Sequence, residues 1–123
     1  MMINQVMTRE VMTLDVDASA KSAAECLRQN DIGFVPITSD DRIVGIVTDR
    51  DIVIRVVADG LNPERTSLGS IASTMPKYCF DDEDCEHVAR NMDELLVRRL
   101  PVVNRDKRLV GVVSIEDLRP RAA

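Results

Sequence analysis

The chain has 123 residues, of which 45% are hydrophobic, 30% are charged and three (Phe34, Tyr78 and Phe80) are aromatic. This length suits one compact domain, or one domain made of two small halves around an aliphatic core. No apolar run approaches the roughly 20 residues that a membrane-spanning helix needs. The net charge of −5 argues against a protein that binds a nucleic-acid backbone.

Three cysteines, Cys26, Cys79 and Cys85, form no CxxC pair. The first residues, Met1 to Glu10, lack the basic region and apolar stretch of a signal peptide. Without a signal peptide, an odd number of cysteines indicates reduced thiols. These observations predict a cytoplasmic protein that binds neither a membrane nor a nucleic acid.

The first half of the chain reads as an extended piece, a helix, two strands and a second helix. In the first helix Ala20, Ala23 and Leu27 lie at helical spacing, and Asp17 fits the N-cap position. The second helix is rich in β-branched residues and could also be a strand, but the cap residue at its start favours a helix. The predicted elements are an extended piece Val11–Leu14, a helix from about Ala18 to Gln29, strands Phe34–Thr38 and Ile43–Thr48, and a helix after Thr48.

A linker with two breakers, Gly60 and Pro63, covers residues 60–67. The second half then repeats the order of the first, with Asp82 at the N-cap position of its first helix. A polar turn joins the two strands of each half as a hairpin. The predicted elements are an extended piece Lys77–Phe80, a helix from about Glu83 to Leu96, strands Leu100–Val103 and Leu109–Ser114, and a helix after Ser114.

The two halves are copies of one another. A shift of 65 residues overlays Pro36 on Pro101, and after a one-residue insertion a shift of 66 overlays Arg42–Thr48 on Arg108–Ser114. Two copies are too few for an open solenoid, but they suffice for a closed domain in which each covers the apolar face of the other. We therefore predict one paired domain over residues 1–123, with repeat 1 at 3–59 and repeat 2 at 68–119.

Each repeat carries the same motif where its last strand meets its last helix. The two junctions, Gly45–Asp51 and Gly111–Asp117, both read G-h-h-[ST]-x-x-D, where h is apolar. Locally this pattern is a capping box. The same atoms also suit a ligand, because a helix N-terminus with a hydroxyl can hold a phosphate and the carboxylate can hold ribose hydroxyls. The glycine lets a backbone approach a ligand closely. The presence of this motif at equivalent points of both repeats favours a ligand site.

These junctions, together with the proline-centred strands Phe34–Ile37 and Arg99–Val103, make the chain resemble a CBS-domain pair, or Bateman module, of the stand-alone type. The resemblance covers Ile3 to Arg119. It implies an α/β (α+β) fold of tandem β-α-β-β-α repeats, with pseudo-twofold symmetry and the sheets packed against each other. It also implies that two modules pair into a flat homodimer.

The resemblance further implies a non-enzymatic module that binds an adenine nucleotide (AMP, ADP or ATP) in clefts between the repeats. It implies that Thr48 and Ser114 meet phosphate, and that Asp51 and Asp117 hold ribose hydroxyls. No obligatory cofactor or metal is implied. With no effector domain in the chain, the partner protein that receives the signal would act in trans, through a shift in conformational populations.

Further site residues come from the positions just ahead of each proline. By resemblance, Ile32 would flank the base at the second junction and Val97 at the first. Arg98 and Arg99 stand where repeat 1 has Gly33-Phe34, and an arginine can hold a phosphate through two hydrogen bonds. Arg50 has Glu116 as its counterpart, so charge reverses there too. We therefore expect the first junction to be the stronger anion site, although Arg98 and Arg99 also fit a solvated strand edge.

A second interpretation is a nucleotide-independent stress protein on the same scaffold that responds to redox state or metal. Cys79, Cys85 and His87 lie close in sequence, beside the acidic run 81–84. Their spacing fits no tight zinc motif, and buried cysteines often behave as small apolar residues. The acidic run also fits a helix start, where carboxylates complement the dipole. Adenine-nucleotide sensing remains the preferred interpretation.

Overall fold

The chain forms two compact units. A computed structural model describes residues 1–30, 33–74 and 77–119. One unit comprises residues 12–76, and the other comprises residues 1–11 together with the chain from residue 77 onward. Each unit therefore holds the helices and strands of one repeat, together with the leading segment of the other repeat.

The unit of residues 12–76 is built on a four-stranded sheet. Its elements are β1 Leu14–Asp15, α1 Ala20–Gln29, β2 Phe34–Ser39, β3 Arg42–Thr48, α2 Asp49–Ile52, which continues as a π-helix over Val53–Val57, α3 Leu68–Ile71 and β4 Ser73–Thr74. The strand order is β1-β2-β3-β4. β1 runs parallel to β2, and the other neighbours are antiparallel.

The second unit repeats this plan with a three-stranded sheet. Its elements are a short 3₁₀ helix Ile3–Gln5, β5 Cys79–Phe80, α4 Cys85–Leu95, β6 Arg99–Val103, β7 Leu109–Ser114 and α5 Ile115–Leu118. The strand order is β5-β6-β7, with β5 parallel to β6. Thr8 bridges Val112 of β7, as β4 pairs with β3 in the other unit. The predicted tandem β-α-β-β-α fold is thus confirmed.

The hairpins and the second helices also form as predicted. Asp40 and Asp41 both have positive φ, 53° and 64°, as the two-residue turn between right-twisted strands requires. The β-branched stretch after Thr48 is helical, because Thr48 caps it and because Val56 is fully buried in the core of its unit. Tertiary packing therefore overrides the strand propensity of this stretch.

Both predicted N-caps of the first helices are wrong. Ser19 caps α1 by accepting the Ser22 N–H, and Asp84 caps α4 by accepting two N–H groups. The two aspartates that the sequence favoured have other partners. The Asp17 N–H donates to the Asp15 carboxylate, and Asp82 forms a two-pronged ion pair with Arg105. Each helix therefore begins about two residues later than predicted.

Each unit has its own hydrophobic core, to which the leading segment contributes. Ile3 and Met7 lie in the core that packs on α4, whereas Leu68 and Ile71 lie in the core that packs on α1. All four side chains are at least nine-tenths buried. Burial of such a side chain is worth about 1.5–3 kcal/mol. Each leading segment is therefore a substantial part of the unit on which it packs.

Each leading segment passes to the unit of the other repeat and runs close to a motif glycine there. We call this arrangement the crossing of the leading segments, and it requires both glycines. A Cβ on Gly45 would lie 2.7 Å from the Ser73 carbonyl oxygen, and one on Gly111 would lie 2.7 Å from the Thr8 carbonyl oxygen. From the sequence, we expected these glycines to allow the close approach of a ligand. The close approach is instead made by the protein's own backbone.

Candidate functional site

The first junction is a complete capping box. The Thr48 hydroxyl accepts the Asp51 N–H at 3.2 Å, and the Asp51 Oδ2 accepts the Thr48 N–H at 2.9 Å. The Asp51 side chain is 12% exposed. The local prediction is therefore confirmed, and the same two bonds fix the hydroxyl and the carboxylate side by side at the start of α2.

The second junction has the same geometry. The Ser114 hydroxyl accepts the Asp117 N–H at 3.2 Å, and the Asp117 Oδ2 accepts the Ser114 N–H at 2.9 Å. Both side chains are half-buried. Two hydroxyl–carboxylate pairs with matching hydrogen bonds thus stand at equivalent points of the two repeats.

Arg55 is a residue of the first junction that sequence reasoning missed. Its Nε lies 4.0 Å from the Asp51 Oδ1, and its Nη1 donates to the Ile71 carbonyl at 2.8 Å. The two oxygens of Asp51 thus have different partners: Oδ2 accepts the Thr48 N–H, and Oδ1 faces the half-exposed guanidinium of Arg55. The i, i+4 spacing of Asp51 and Arg55 on a helix was the available signal.

The second junction has a different electrostatic setting. Arg98 forms an ion pair with Glu116, and its carbonyl accepts the Ile115 N–H at the start of α5. Both side chains of the ion pair are more than half exposed. Arg98 thus already has an anionic partner within its own repeat, next to Ser114.

The remaining predicted site residues are placed as follows. Arg99 is exposed and pairs in register with Ser114 across the β6–β7 ladder. Val97 packs against the core of its own unit. Arg50 is exposed in the first turn of α2. Ile32 lies outside the described residues, and the predicted contacts of Ile32 and Val97 with a base stay predictions.

The three cysteines lie in environments that disfavour their thiolates. All three are buried, and burial raises the pKa of Cys26 and Cys85. Burial, reinforced by nearby acidic groups, raises the pKa of Cys79 to about 12. Because the thiolate is the nucleophile and the metal-binding form, these side chains are poorly reactive at neutral pH. His87 is exposed, with its Nε2 3.9 Å from Glu83 Oε1.

Within residues 1–30, 33–74 and 77–119, no group of three His, Cys, Asp or Glu side chains is placed to hold a metal ion. Cys79, Cys85 and His87 therefore do not fit a zinc centre in this structure. The helices in these ranges also include none that is long and apolar enough to cross a membrane.

The repeated fold and the repeated junction together define the class of protein. The family model described as CBS domain matches residues 3–58 and 68–122. The chain belongs to the CBS-domain family, with two repeats.

Particular relatives support this assignment along the whole chain. Hypoxic response protein 1 of Mycobacterium tuberculosis is 36% identical over 114 residues, which cover 92% of this chain and 79% of that protein. A crystal structure of Hypoxic Response Protein I with two coordinated zinc ions superposes with a TM-score of 0.85 at 33% identity, and the match covers both chains fully.

Two solved CBS structures that contain adenosine compounds are also similar. A CBS domain protein from Pyrobaculum aerophilum complexed with AMP has a TM-score of 0.81 at 28% identity, covering 98% of this chain and 92% of that one. The CBS domain pair of protein MJ0100, in complex with 5′-methylthioadenosine and S-adenosyl-L-methionine, has a TM-score of 0.79 at 26% identity. That match covers 96% of this chain and 92% of the other.

Proposed function

We propose that this protein is a regulatory CBS pair that binds an adenine nucleotide at its two strand-to-helix junctions and signals to a partner protein in trans. The observation that carries the proposal is the repeated junction. In each repeat a hydroxyl and a half-buried carboxylate are held together by two cap hydrogen bonds. Both carboxylates are half-buried at the equivalent point of their repeats, beside a hydroxyl at a helix start.

Each carboxylate is oriented before a ligand arrives. One oxygen of Asp51 is fixed by the Thr48 N–H, and the side chain has little freedom left because it is 12% exposed. The other oxygen lies 4.0 Å from the Arg55 Nε and keeps lone pairs that can accept ribose hydroxyls. A hydrogen bond to a charged group contributes about 1.5–3 kcal/mol. A group that is already fixed loses little entropy on binding. The geometry therefore suits a diol.

The similar solved structures support the same ligand class. Both the AMP complex and the complex with methylthioadenosine and S-adenosylmethionine contain an adenosine moiety. The part common to those ligands is the ribose-linked adenine, which matches a carboxylate-based ribose site. We assign AMP, ADP or ATP to this chain because a phosphate also suits the Thr48 and Ser114 hydroxyls at helix starts.

Regulation would follow from differential binding. A ligand changes a conformational equilibrium by as much as its affinities for the two states differ. Since α2 carries Asp51 and continues as the π-helix whose Val56 is buried in the core, a ligand on Asp51 can bias the position of this helical segment. A partner protein that contacts the helix would sense the change.

Isothermal titration calorimetry with AMP, ADP, ATP and S-adenosylmethionine tests the proposal. Asp51→Asn and Asp117→Asn retain an oxygen that can accept the cap N–H, so the fold should be kept. We expect each to weaken nucleotide binding about tenfold, since a charged acceptor is lost. Asp49→Asn, in the same turn but exposed, is the matched control and should leave the affinity within about twofold. No heat with any ligand, or full affinity in both junction variants, would overturn the proposal.

A metal-responsive role is the second candidate, because Hypoxic Response Protein I has been solved with two coordinated zinc ions. Metal analysis of the purified protein, followed by zinc titration monitored by melting temperature, separates the two candidates. Stoichiometric zinc that is lost in Cys79→Ser or Cys85→Ser, without any nucleotide binding, would favour the metal-responsive role.

A further inference from the structure

The helix that carries the second junction consists of a single turn. α5 comprises Ile115–Leu118, and its first turn holds the cap hydrogen bonds between Ser114 and Asp117. The counterpart in repeat 1, α2, continues as a π-helix over Val53–Val57, in which Val56 is fully buried. One helical turn is not stable by itself, because its few hydrogen bonds do not offset the entropy of ordering the backbone. The orientation of Asp117 therefore depends on the groups that hold α5 in place.

Arg119, the residue directly after α5, joins this helix to α4. Its backbone N–H donates to the Ile115 carbonyl at 3.0 Å, so the residue is bonded to α5. Its side chain donates from Nη1 to the Asp93 Oδ2 at 2.6 Å and from Nη2 to the Glu86 Oε1 at 3.0 Å. Both acids belong to α4, about two turns apart, and therefore lie on one face of that helix. We call these two ion pairs the Arg119 bridge.

The Arg119 bridge supplies a directional contact that the apolar anchor of α5 lacks. Leu118 is 8% exposed and lies in the core on which α4 packs, but apolar burial is non-directional and does not fix the rotation of α5. Two charged hydrogen bonds to a rigid, planar guanidinium add geometric specificity. At the start of α5 the Ile115 N–H donates to the Arg98 carbonyl at 2.9 Å. Asp117 thus lies between two ends that are both fixed by hydrogen bonds.

We propose that Arg119 is a positioning residue of the second ligand site, which holds Asp117 in the orientation that accepts ribose hydroxyls. The inference rests on the proposed function, since the orientation of Asp117 matters only if a ligand binds there. Repeat 1 supports it by contrast. The shift of 66 residues places Val53 opposite Arg119, and in repeat 1 the helix continues from this position and is anchored by the buried Val56. In repeat 2 Arg119 therefore replaces the anchor that the longer helix provides in repeat 1.

A nitrogen-15 HSQC titration of the full chain with adenosine tests the proposal, because it measures the affinity of each junction separately. Adenosine carries no phosphate, so a change in affinity cannot come from attraction between Arg119 and a charge on the ligand. A group that is already oriented loses little entropy on binding, and exposed ion pairs contribute modestly to that orientation. We therefore expect Arg119→Gln to raise the dissociation constant at Ser114 and Asp117 about threefold. The dissociation constant at Thr48 and Asp51 should stay unchanged.

Arg105→Gln is the matched control, because it removes the same charge and a similar ion pair. The Arg105 guanidinium donates twice to the Asp82 carboxylate, at 2.9 and 2.7 Å. Arg105 lies in the turn between β6 and β7, and Asp82 lies in the segment ahead of α4, so this ion pair does not hold α5. We expect Arg105→Gln to keep the wild-type affinity for adenosine at both junctions.

The salt dependence of the same titration distinguishes positioning by the Arg119 bridge from a general loosening of the fold. Salt screens exposed ion pairs, whereas adenosine itself is uncharged. Between about 0.05 and 0.5 M sodium chloride, the wild-type affinity at the second junction should fall towards that of Arg119→Gln. The variant has no bridge to screen, so its affinity for adenosine should stay constant over this range.

Two results would overturn the role of Arg119. One is an equal adenosine affinity at Ser114 and Asp117 in the wild type and in Arg119→Gln. The other is an equal loss in Arg119→Gln and Arg105→Gln, which would indicate an effect of net charge alone. In both cases the wild-type shifts at the two junctions would still support the proposed function. No shift at either junction of the wild type, with adenosine or with AMP, would instead contradict the proposed function, and the inference would fall with it.

Discussion

The two junctions share a local geometry but differ in what surrounds it. In both repeats the cap hydrogen bonds are 2.9 and 3.2 Å long. At the first junction Asp51 faces Arg55, which also holds the Ile71 carbonyl. At the second junction the ion pair is between Arg98 and Glu116. The cap is thus specified by four consecutive residues, whereas the charges around it depend on neighbouring elements.

This difference bears on the predicted anion preference. A ligand phosphate can approach Arg50 or Arg99, which have no ion-pair partner among the described residues, without displacing an acid. At Arg98 the same phosphate competes with Glu116. The difference between the junctions should therefore appear with phosphorylated ligands and not with adenosine.

The largest expected effect comes from replacing the motif glycine that the two repeats share. Gly45→Ala and Gly111→Ala each place a Cβ 2.7 Å from a backbone carbonyl oxygen of the crossing segment. We expect each to lower the free energy of unfolding by about 1–3 kcal/mol, since the backbone must shift. Gly69→Ala is the control, because its Cβ would meet Val16 at the ordinary distance of 3.4 Å or more. Denaturant unfolding gives the values, and equal stability of all three variants would contradict the crossing.

The next effect concerns the free arginine of repeat 2. Arg99 is exposed beside Ser114, with no ion-pair partner among the described residues. We expect Arg99→Ala to weaken ATP and ADP several-fold more than adenosine, because a charged hydrogen bond to phosphate is lost. Calorimetric titrations of the three ligands measure the difference. Equal losses for adenosine and ATP would show that Arg99 does not meet phosphate.

Removal of Glu116, the acid that competes with a phosphate for Arg98, should raise the affinity for ATP. Glu116→Gln releases Arg98 from its ion pair. We expect a gain in ATP affinity of about two- to threefold, since exposed ion pairs are worth less than about 1 kcal/mol. Adenosine affinity should stay constant in the same titrations. A loss of ATP affinity would instead mean that the Arg98–Glu116 pair itself positions the site.

The last effect appears only at alkaline pH and distinguishes the first strands of the repeats, where Cys79 in β5 is the counterpart of Leu14 in β1. Burial raises the pKa of Cys79 from 9.0 to about 12. Its folded pKa lies above its unfolded pKa, so the stabilisation is complete below about pH 9 and is lost as pH rises towards 12. Thermal melting between pH 7 and 11 should show a steeper alkaline decline for the wild type than for Cys79→Val. Parallel curves would contradict the shift.

The sequence predicted the order of elements because both periodicity and repetition are local signals. The β-branched stretch 52–57 was ambiguous by propensity, and the cap at Thr48 identified it correctly as a helix. The capping boxes followed from the same four-residue pattern. The chemistry of the site was therefore predicted for the hydroxyl and the carboxylate within each motif, and not for the charged groups around them.

Features that depend on distant contacts were missed. The exchange of the leading segments between units, and hence the partners of Gly45 and Gly111, has no local signature. The sequence favoured Asp17 and Asp82 as caps, but the Asp17 N–H donates to the Asp15 carboxylate, and Asp82 pairs with Arg105 of the turn between β6 and β7. The Arg98–Glu116 pair joins residues 18 positions apart, which no local pattern indicates.

A nitrogen-15 HSQC titration of the full chain with AMP tests the ligand assignment most directly, because it reports on each junction separately. We predict saturable shifts of the amide resonances of Thr48 and Asp51 and of Ser114 and Asp117. The amides of the groove lined by Tyr78, Asn91 and Leu95 should stay in place. Shifts confined to that groove, or no shift at either junction, would contradict the account.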